Sequence, residues 1–181
     1  MNTVASFVDV STIAFTITYM AQPTKTQLQA LRSLLRARTT LTDRLETALR
    51  ADDLPPLGWY DVLCALDAAG EQGMRPRDLA YEVALTPSGV TRLLDRMTDA
   101  GLVERKACPS DRRGFGVTLT AAGRKTHERM EPVYLREVEA AFASLLSDDE
   151  ARQVGELLDR VSASACSALG EAPPAPTVRA A

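Results

Sequence analysis

The chain has 181 residues, of which 45% are hydrophobic and 25% charged, and a formal net charge of −3. That balance is ordinary for a folded globular domain with extensions, and excludes a disordered, fibrous or uniformly polybasic chain. Three cysteines, Cys64, Cys108 and Cys166, show no metal-ligand spacing, and His127 is the single histidine. They argue against a disulfide framework and a metal centre, and favour a reducing, cytoplasmic setting.

Residues 1–23 hold one charge, Asp9, and a β-prone run from Thr12 to Met20. They have no basic n-region, and their apolar stretch is interrupted and too short to span a membrane. The segment reads as a loose arm, an arm that wraps a partner subunit, or sequence upstream of a start at Met20. Thr24-x-x-Gln27 is a capping box that opens a long helix to about Arg50. Its stripe, Leu28, Leu31, Leu35, Arg38, Thr42, Leu45 and Leu49, alternates steps of three and four and is broadened by Leu34, Leu41 and Ala48. Such a stripe suits a helix pair or a dimer interface, with Arg38 as its interruption.

Leu54-Pro55-Pro56 ends a linker. A second helix, about 57–69, buries Trp59, Val62, Leu63 and Leu66 and stops at Gly70 and Gly73. Pro76 begins a short third helix, about 76–83. Thr86 caps a fourth, with Pro87 in its first turn and Gly101 just past its end. That helix carries two stripes. Val90, Leu93, Leu94 and Met97 form an apolar face that must pack inward. Ser88, Thr91, Arg92 and Asp95 repeat the spacing on another face, with the short polar groups and arginine that read base edges in a major groove. Strands Leu102–Lys106 and Phe115–Leu119 follow as a hairpin tipped with Asp111-Arg112-Arg113-Gly114. Thr120 caps a fifth helix, in which Pro132 removes a backbone donor and predicts a kink. Ser147-Asp148-Asp149-Glu150 caps a sixth helix to about Leu169. Residues 170–181, rich in Ala and Pro, read as a disordered tail.

Helix, turn, helix and basic hairpin in this order predict a mainly α fold with a small β-hairpin wing, and a DNA-binding winged helix at 54–120. Residues 75–113 hold eight basic against six acidic side chains, an excess of two, while the rest of the chain carries −5. An acidic body with a basic segment fits a protein whose body does something other than grip DNA.

These residues resemble the MarR (multiple antibiotic resistance regulator) family. The likeness is carried by WYDVLCAL at 59–66, RDLAYEVALTPSGVTRLLDRMTDAGLVER at 77–105 and CPSDRRGFGVTLTAAGR at 108–124. With the flanking long helices it extends over about 25–168. The resemblance implies a homodimer whose helices at 24–53 and 121–169 form the dimerisation region. It implies two winged lobes reading a pseudo-palindromic double-stranded operator, repression, and release by a small, often aromatic, effector. The half-sites should lie one helical turn apart, roughly 34–36 Å.

Ser88, Thr91 and Arg92 are the candidate contacts to bases or phosphates, with Arg96 beside them. Gly89 would let backbone approach DNA or the third helix. Arg112 and Arg113 are candidate wing contacts. By resemblance, Asp111, Arg113 and Gly114 match the family's Asp-x-Arg-Gly pattern, the arginine entering a narrow minor groove and Asp111 orienting a neighbouring arginine. Arg77, near the start of the third helix, suits phosphate. Arg38 among Trp59, Tyr60 and Asp61 suits an aromatic carboxylate, although Arg38 could equally pair with an acid or snorkel outward. The Trp that urate-responsive relatives carry on the first helix is missing here. Cys108, beside Arg105 and Lys106, is a candidate redox thiol. Cys64 reads as core, and His127 as a surface residue that nothing pairs with a nucleophile. No cofactor, metal, membrane or catalytic site is predicted. The alternatives are a winged-helix module for protein contacts without a DNA target, a thiol-based redox-sensing regulator, and, least favoured, a thiol-dependent enzyme.

Overall fold

The computed structural model describes residues 22–83, 85–108 and 111–168, with side chains to residue 165 except those of 107–108 and 111–114. Residues 1–21 of the predicted arm at 1–23, the tail at 170–181 and the side chains of Cys108, Cys166 and the wing arginines lie outside that set. The elements are α1 (Lys25–Ala51), α2 (Leu57–Ala69), α3 (Pro76–Glu82), α4 (Pro87–Asp99), β1 (Val103–Cys108), β2 (Asp111–Leu119), α5 (Ala121–Ala141) and α6 (Asp148–Ala168). One-turn 3-10 segments follow α2 (Gly70–Gln72) and α5 (Ala143–Leu145). The chain divides into two compact units between Thr40 and Leu41.

The first unit contains the N-terminal part of α1. Its capping box forms as the sequence specifies: the Thr24 N–H donates to Gln27 Oε1 at 2.8 Å and the Gln27 N–H to Thr24 Oγ1 at 3.2 Å. Leu28, Leu31 and Leu35 are exposed, so the stripe that predicted a partner helix is uncovered here.

The second unit holds the core. Leu49, Val62, Leu63, Leu66, Leu79, Val90, Leu94, Met97, Val103, Val117 and Met130 are all essentially inaccessible. Each such side chain contributes about 1.5–3 kcal/mol, so the lobe formed by α2 to α5 and the hairpin carries the stability. All four residues of the apolar stripe on α4 are buried. On α2 the buried aromatic is Tyr60, at 6% exposure, whereas Trp59, expected in the core, is only half-buried. The two residues are adjacent and face different surroundings, and the packing of neighbouring elements reverses the order that periodicity gave them.

Two features lay beyond the sequence reading. Met74 pairs with Val117 through both backbone bonds, 3.0 and 2.8 Å, tying the segment before α3 to the hairpin. One residue has no periodicity to reveal a strand. Gly73 allows it: φ is +62°, and a Cβ there would stand 2.3 Å from the Val117 carbonyl oxygen. The wing is also longer than predicted. β2 begins at Asp111, Cys108 pairs with Asp111, and a register shift falls between Ala107 and Cys108. Asp111 of the predicted tip is therefore paired, while Arg112 to Gly114, between its pairing and that of Phe115, fall at the register shift without a ladder partner. α5 continues through Pro132 to Ala141, with Met130 and Val133 buried on either side.

Thr120 fixes the start of α5. Its Oγ1 accepts from the Gly123 N–H at 3.0 Å and donates to the Gly101 carbonyl at 2.7 Å, joining the cap to the end of α4. Thr120→Ala is expected to cost about 1–2 kcal/mol, the upper part of the N-cap range. Thr86→Ala, which loses the cap bond to the Gly89 N–H (3.1 Å), should cost less. Urea denaturation of both variants compares them, and equal losses would show that the tie to Gly101 contributes nothing.

Candidate nucleic-acid interface

The apolar stripe fixes how α4 rotates about its axis: with Val90, Leu93, Leu94 and Met97 inward, Ser88, Thr91, Arg92, Asp95 and Arg96 are all exposed. Thr86 and Pro87 set its start, and the cap leaves the first turn outward. The Thr91 hydroxyl donates to the Pro87 carbonyl at 2.9 Å, leaving its oxygen as an acceptor. Ser88 Oγ lies 3.3 Å from Thr86 Oγ1. Arg92 and Arg96 form no ion pair among the described residues, so both guanidinium groups are available to an anion. Arg77 is likewise exposed at the start of α3. The missing Cβ at Gly89 leaves room for its own cap, since a Cβ there would lie 3.1 Å from Thr86 Oγ1.

Asp95 is engaged differently. Arg105 Nη2 on β1 lies 2.5 Å from Asp95 Oδ1, and the Arg105 guanidinium carbon is 4.9 Å from the centre of the Phe115 ring on β2. Neither Arg105 nor Phe115 was singled out from the sequence. The signal was the hairpin register, which places them two residues apart on one face.

The predicted effector residues fall on both units, and those on the second unit face different surroundings. Arg38 is exposed on the first unit. Trp59 borders a groove of about 760 Å³ with Pro56, Gly89, Arg92, Leu93 and Arg96. Tyr60 turns instead into the seam with α5, where its ring stacks on His127 (5.6 Å between centres) and Tyr134 (4.4 Å). Burial, then hydrogen bonding with Cys64, pushes the Tyr60 hydroxyl well above the ordinary tyrosine range. Asp61 is exposed as a residue, yet partial desolvation raises its carboxyl above the usual value.

The same seam corrects two expectations. Cys64 is half-buried at the edge of the core, not within it, and His127 is half-buried rather than a surface residue. Cys64 Sγ lies 3.2 Å from His127 Nε2, so the histidine does face a sulfur. The contact joins α2 to α5, and residues 63 positions apart show no such pairing in sequence. Burial, aided by the charges of Asp61, Glu131 and Asp67, raises the Cys64 thiol pKa against a lowering bond from Tyr60. That is the opposite of an activated nucleophile. Among the described residues no cluster of three or more His, Cys, Asp or Glu could hold a metal, and no helix is long and apolar enough to cross a membrane.

Residues 52–114, which include α2 to α4 and most of the hairpin, match the MarR family profile. An HTH-type transcriptional repressor of Mycobacterium tuberculosis is 30% identical over 110 residues, spanning 60% of this chain and 78% of the relative. A MarR family transcriptional regulator of Streptomyces coelicolor, solved in complex with DNA, superposes with a TM-score of 0.74 at 28% identity, over 80% of this chain and 94% of that one. CouR of Rhodococcus jostii, solved bound to p-coumaroyl-CoA, does so with a TM-score of 0.63 at 25% identity, over 71% and 87%. Sequence, fold and an exposed polar face on the second helix of the helix-turn-helix agree: the chain belongs to the MarR family of winged helix-turn-helix, DNA-binding transcriptional regulators.

Proposed function

We propose that this regulator is a dimeric repressor that reads a pseudo-palindromic operator through α4 and the wing and is released by a small aromatic effector. The observation that carries the reading is the outward face of α4, with Arg92 and Arg96 in no ion pair among the described residues and the opposite face buried. The dimer is supported by large apolar side chains that are uncovered: Leu31 and Leu35 on α1, Leu135 on α5, and Leu157 and Val161 on α6. Rows of exposed leucine and valine at helical spacing need a partner surface. By the division proposed here, 24–53 and 121–169 supply that surface and 54–120 supplies the DNA contacts.

The effector reading gains support from the groove beside Trp59. An aromatic acid there would stack on the indole while its carboxylate met Arg96 or Arg92, occupying the arginines that DNA needs. Arg38 and Asp61 would then act from elsewhere or not at all. An effector releases DNA only by binding the DNA-free arrangement better.

The test begins with selection of duplexes from a random-sequence pool by the purified protein. Enrichment of an inverted repeat with half-sites about one turn apart is the expected result. Trp59 is the only tryptophan, so its fluorescence reports occupancy of the groove directly. Benzoate-class acids should quench it and release the selected duplex, and Trp59→Phe should weaken both responses. Release without quenching would move the effector site away from Trp59. Enrichment of no duplex would favour a protein-contact module.

A further inference from the structure

We infer that Arg105 is a positioning residue for DNA recognition: clamped between Asp95 of α4 and the ring of Phe115, it sets the angle at which the wing leaves the recognition helix. The inference rests on the reading that α4 and the wing grip the same duplex. Val103 and Val117, on the inward face of the hairpin, are buried at 2% and 0% exposure. Side chains alternate along a strand, so Arg105 and Phe115 continue that inward face one step nearer the tip. Arg105 pairs with Val117 and Ala107 with Phe115 in the register, which sets Arg105 and Phe115 diagonally adjacent. Arg105 is thus the place where the inward face of the wing is held to α4 beyond the buried core.

The magnitudes point to aim and not to stability. The pair is exposed, at 42% for the Arg105 side chain and 54% for Asp95, and exposed ion pairs add little to folding. The lever is longer than the clamp. From Arg105 to Cys108, the partner of Asp111 in the register, β1 extends about 10 Å at roughly 3.3 Å per residue. A tilt of about 10° at the clamp would then carry Asp111 and its neighbouring arginines some 2 Å sideways. Only a guanidinium can offer a fork to a carboxylate and a flat face to a ring together. The clamp also occupies Asp95, whose position on the polar face of α4 would otherwise set a carboxylate against DNA. Asp95 is therefore taken out of base reading by Arg105.

The experiment measures binding of the duplex enriched by the wild-type protein, as a function of salt, by fluorescence anisotropy. Asp95→Asn and Arg105→Ala should each weaken binding about tenfold, within the coupling range of residues in contact. The double variant should be no weaker than Arg105→Ala alone, and Arg105→Lys should not restore binding. Arg105→Ala should lower the salt slope no further than Arg113→Ala does, and in an Arg113→Ala background it should change neither affinity nor slope appreciably. In the Arg113→Ala background, a further reduction of the slope by about 0.9, the share of one phosphate, would make Arg105 a backbone contact in its own right and overturn the clamp. So would losses that multiply between Arg105→Ala and Arg113→Ala, or Asp95→Asn binding as the wild type does. Failure of the wild type to enrich any duplex would sink the DNA reading itself and the clamp with it.

Discussion

Gly123→Ala is expected to destabilise the protein by about 3 kcal/mol or more, at the upper end of or beyond the usual cost of overpacking. Helix propensity predicts the opposite sign, because Ala is favoured over Gly by about 1 kcal/mol inside a helix. Contact decides between them. A Cβ at Gly123 would stand 2.0 Å from the Leu102 carbonyl oxygen and 3.4 Å from Leu119 Cδ2. That carbonyl cannot step aside, since it accepts from the Thr120 N–H at 3.1 Å and lies 3.2 Å from Thr120 Oγ1. α5 would have to lift off the end of α4, opening the seam over Leu102 and Leu119. Gly155, in α6, has nothing within 4 Å of its virtual Cβ, so Gly155→Ala should gain up to about 1 kcal/mol. Urea midpoints of the two variants give the answer. A Gly123→Ala protein as stable as the wild type would mean that the contact between α5 and the loop after α4 is far looser than described.

Arg92→Ala is expected to weaken binding to the selected operator by about 1–3 kcal/mol, roughly 5- to 150-fold, with the loss confined to duplexes that carry the preferred base at one position. Arg113→Ala should weaken binding by a comparable amount in another way, reducing preference for narrow, A·T-rich flanks and lowering the salt slope by about one phosphate. Arg92 stands on the exposed face of α4 without an ion pair among the described residues, so its removal leaves no buried charge behind and should not alter folding. Titrations on the preferred duplex and on single-base variants separate the two effects. A uniform loss over all sequences for Arg92→Ala would reduce it to a phosphate contact, and unchanged affinity for both variants would favour the protein-contact reading.

Local signals in the sequence were sufficient wherever one element could be read by itself. The capping boxes at Thr24 and Ser147, the caps at Thr86 and Thr120, and the buried stripe on α4 all form at the positions their spacing dictates. Each depends on residues three or four apart, whose geometry the helix itself supplies. The polar face of α4 followed from the same rule, because burying one stripe forces the other outward. The MarR resemblance was legible for a related reason: its motifs lie in one continuous stretch.

What only the tertiary structure decided involves residues far apart in the chain. Periodicity put Trp59 in the core, but it is packing against His127 and Tyr134 that buries Tyr60 instead and leaves Trp59 beside the Arg92 groove. Asp95 looked like a reading residue until the hairpin brought Arg105 to it. Gly73 looked like a helix stop, whereas its missing side chain also admits the Val117 carbonyl and so a third backbone pairing for the wing. Sequence spacing specifies which face of an element is apolar, because that depends on the element's own repeat. Which polar groups meet across elements depends on register and close approach, and these exist only once the chain has folded.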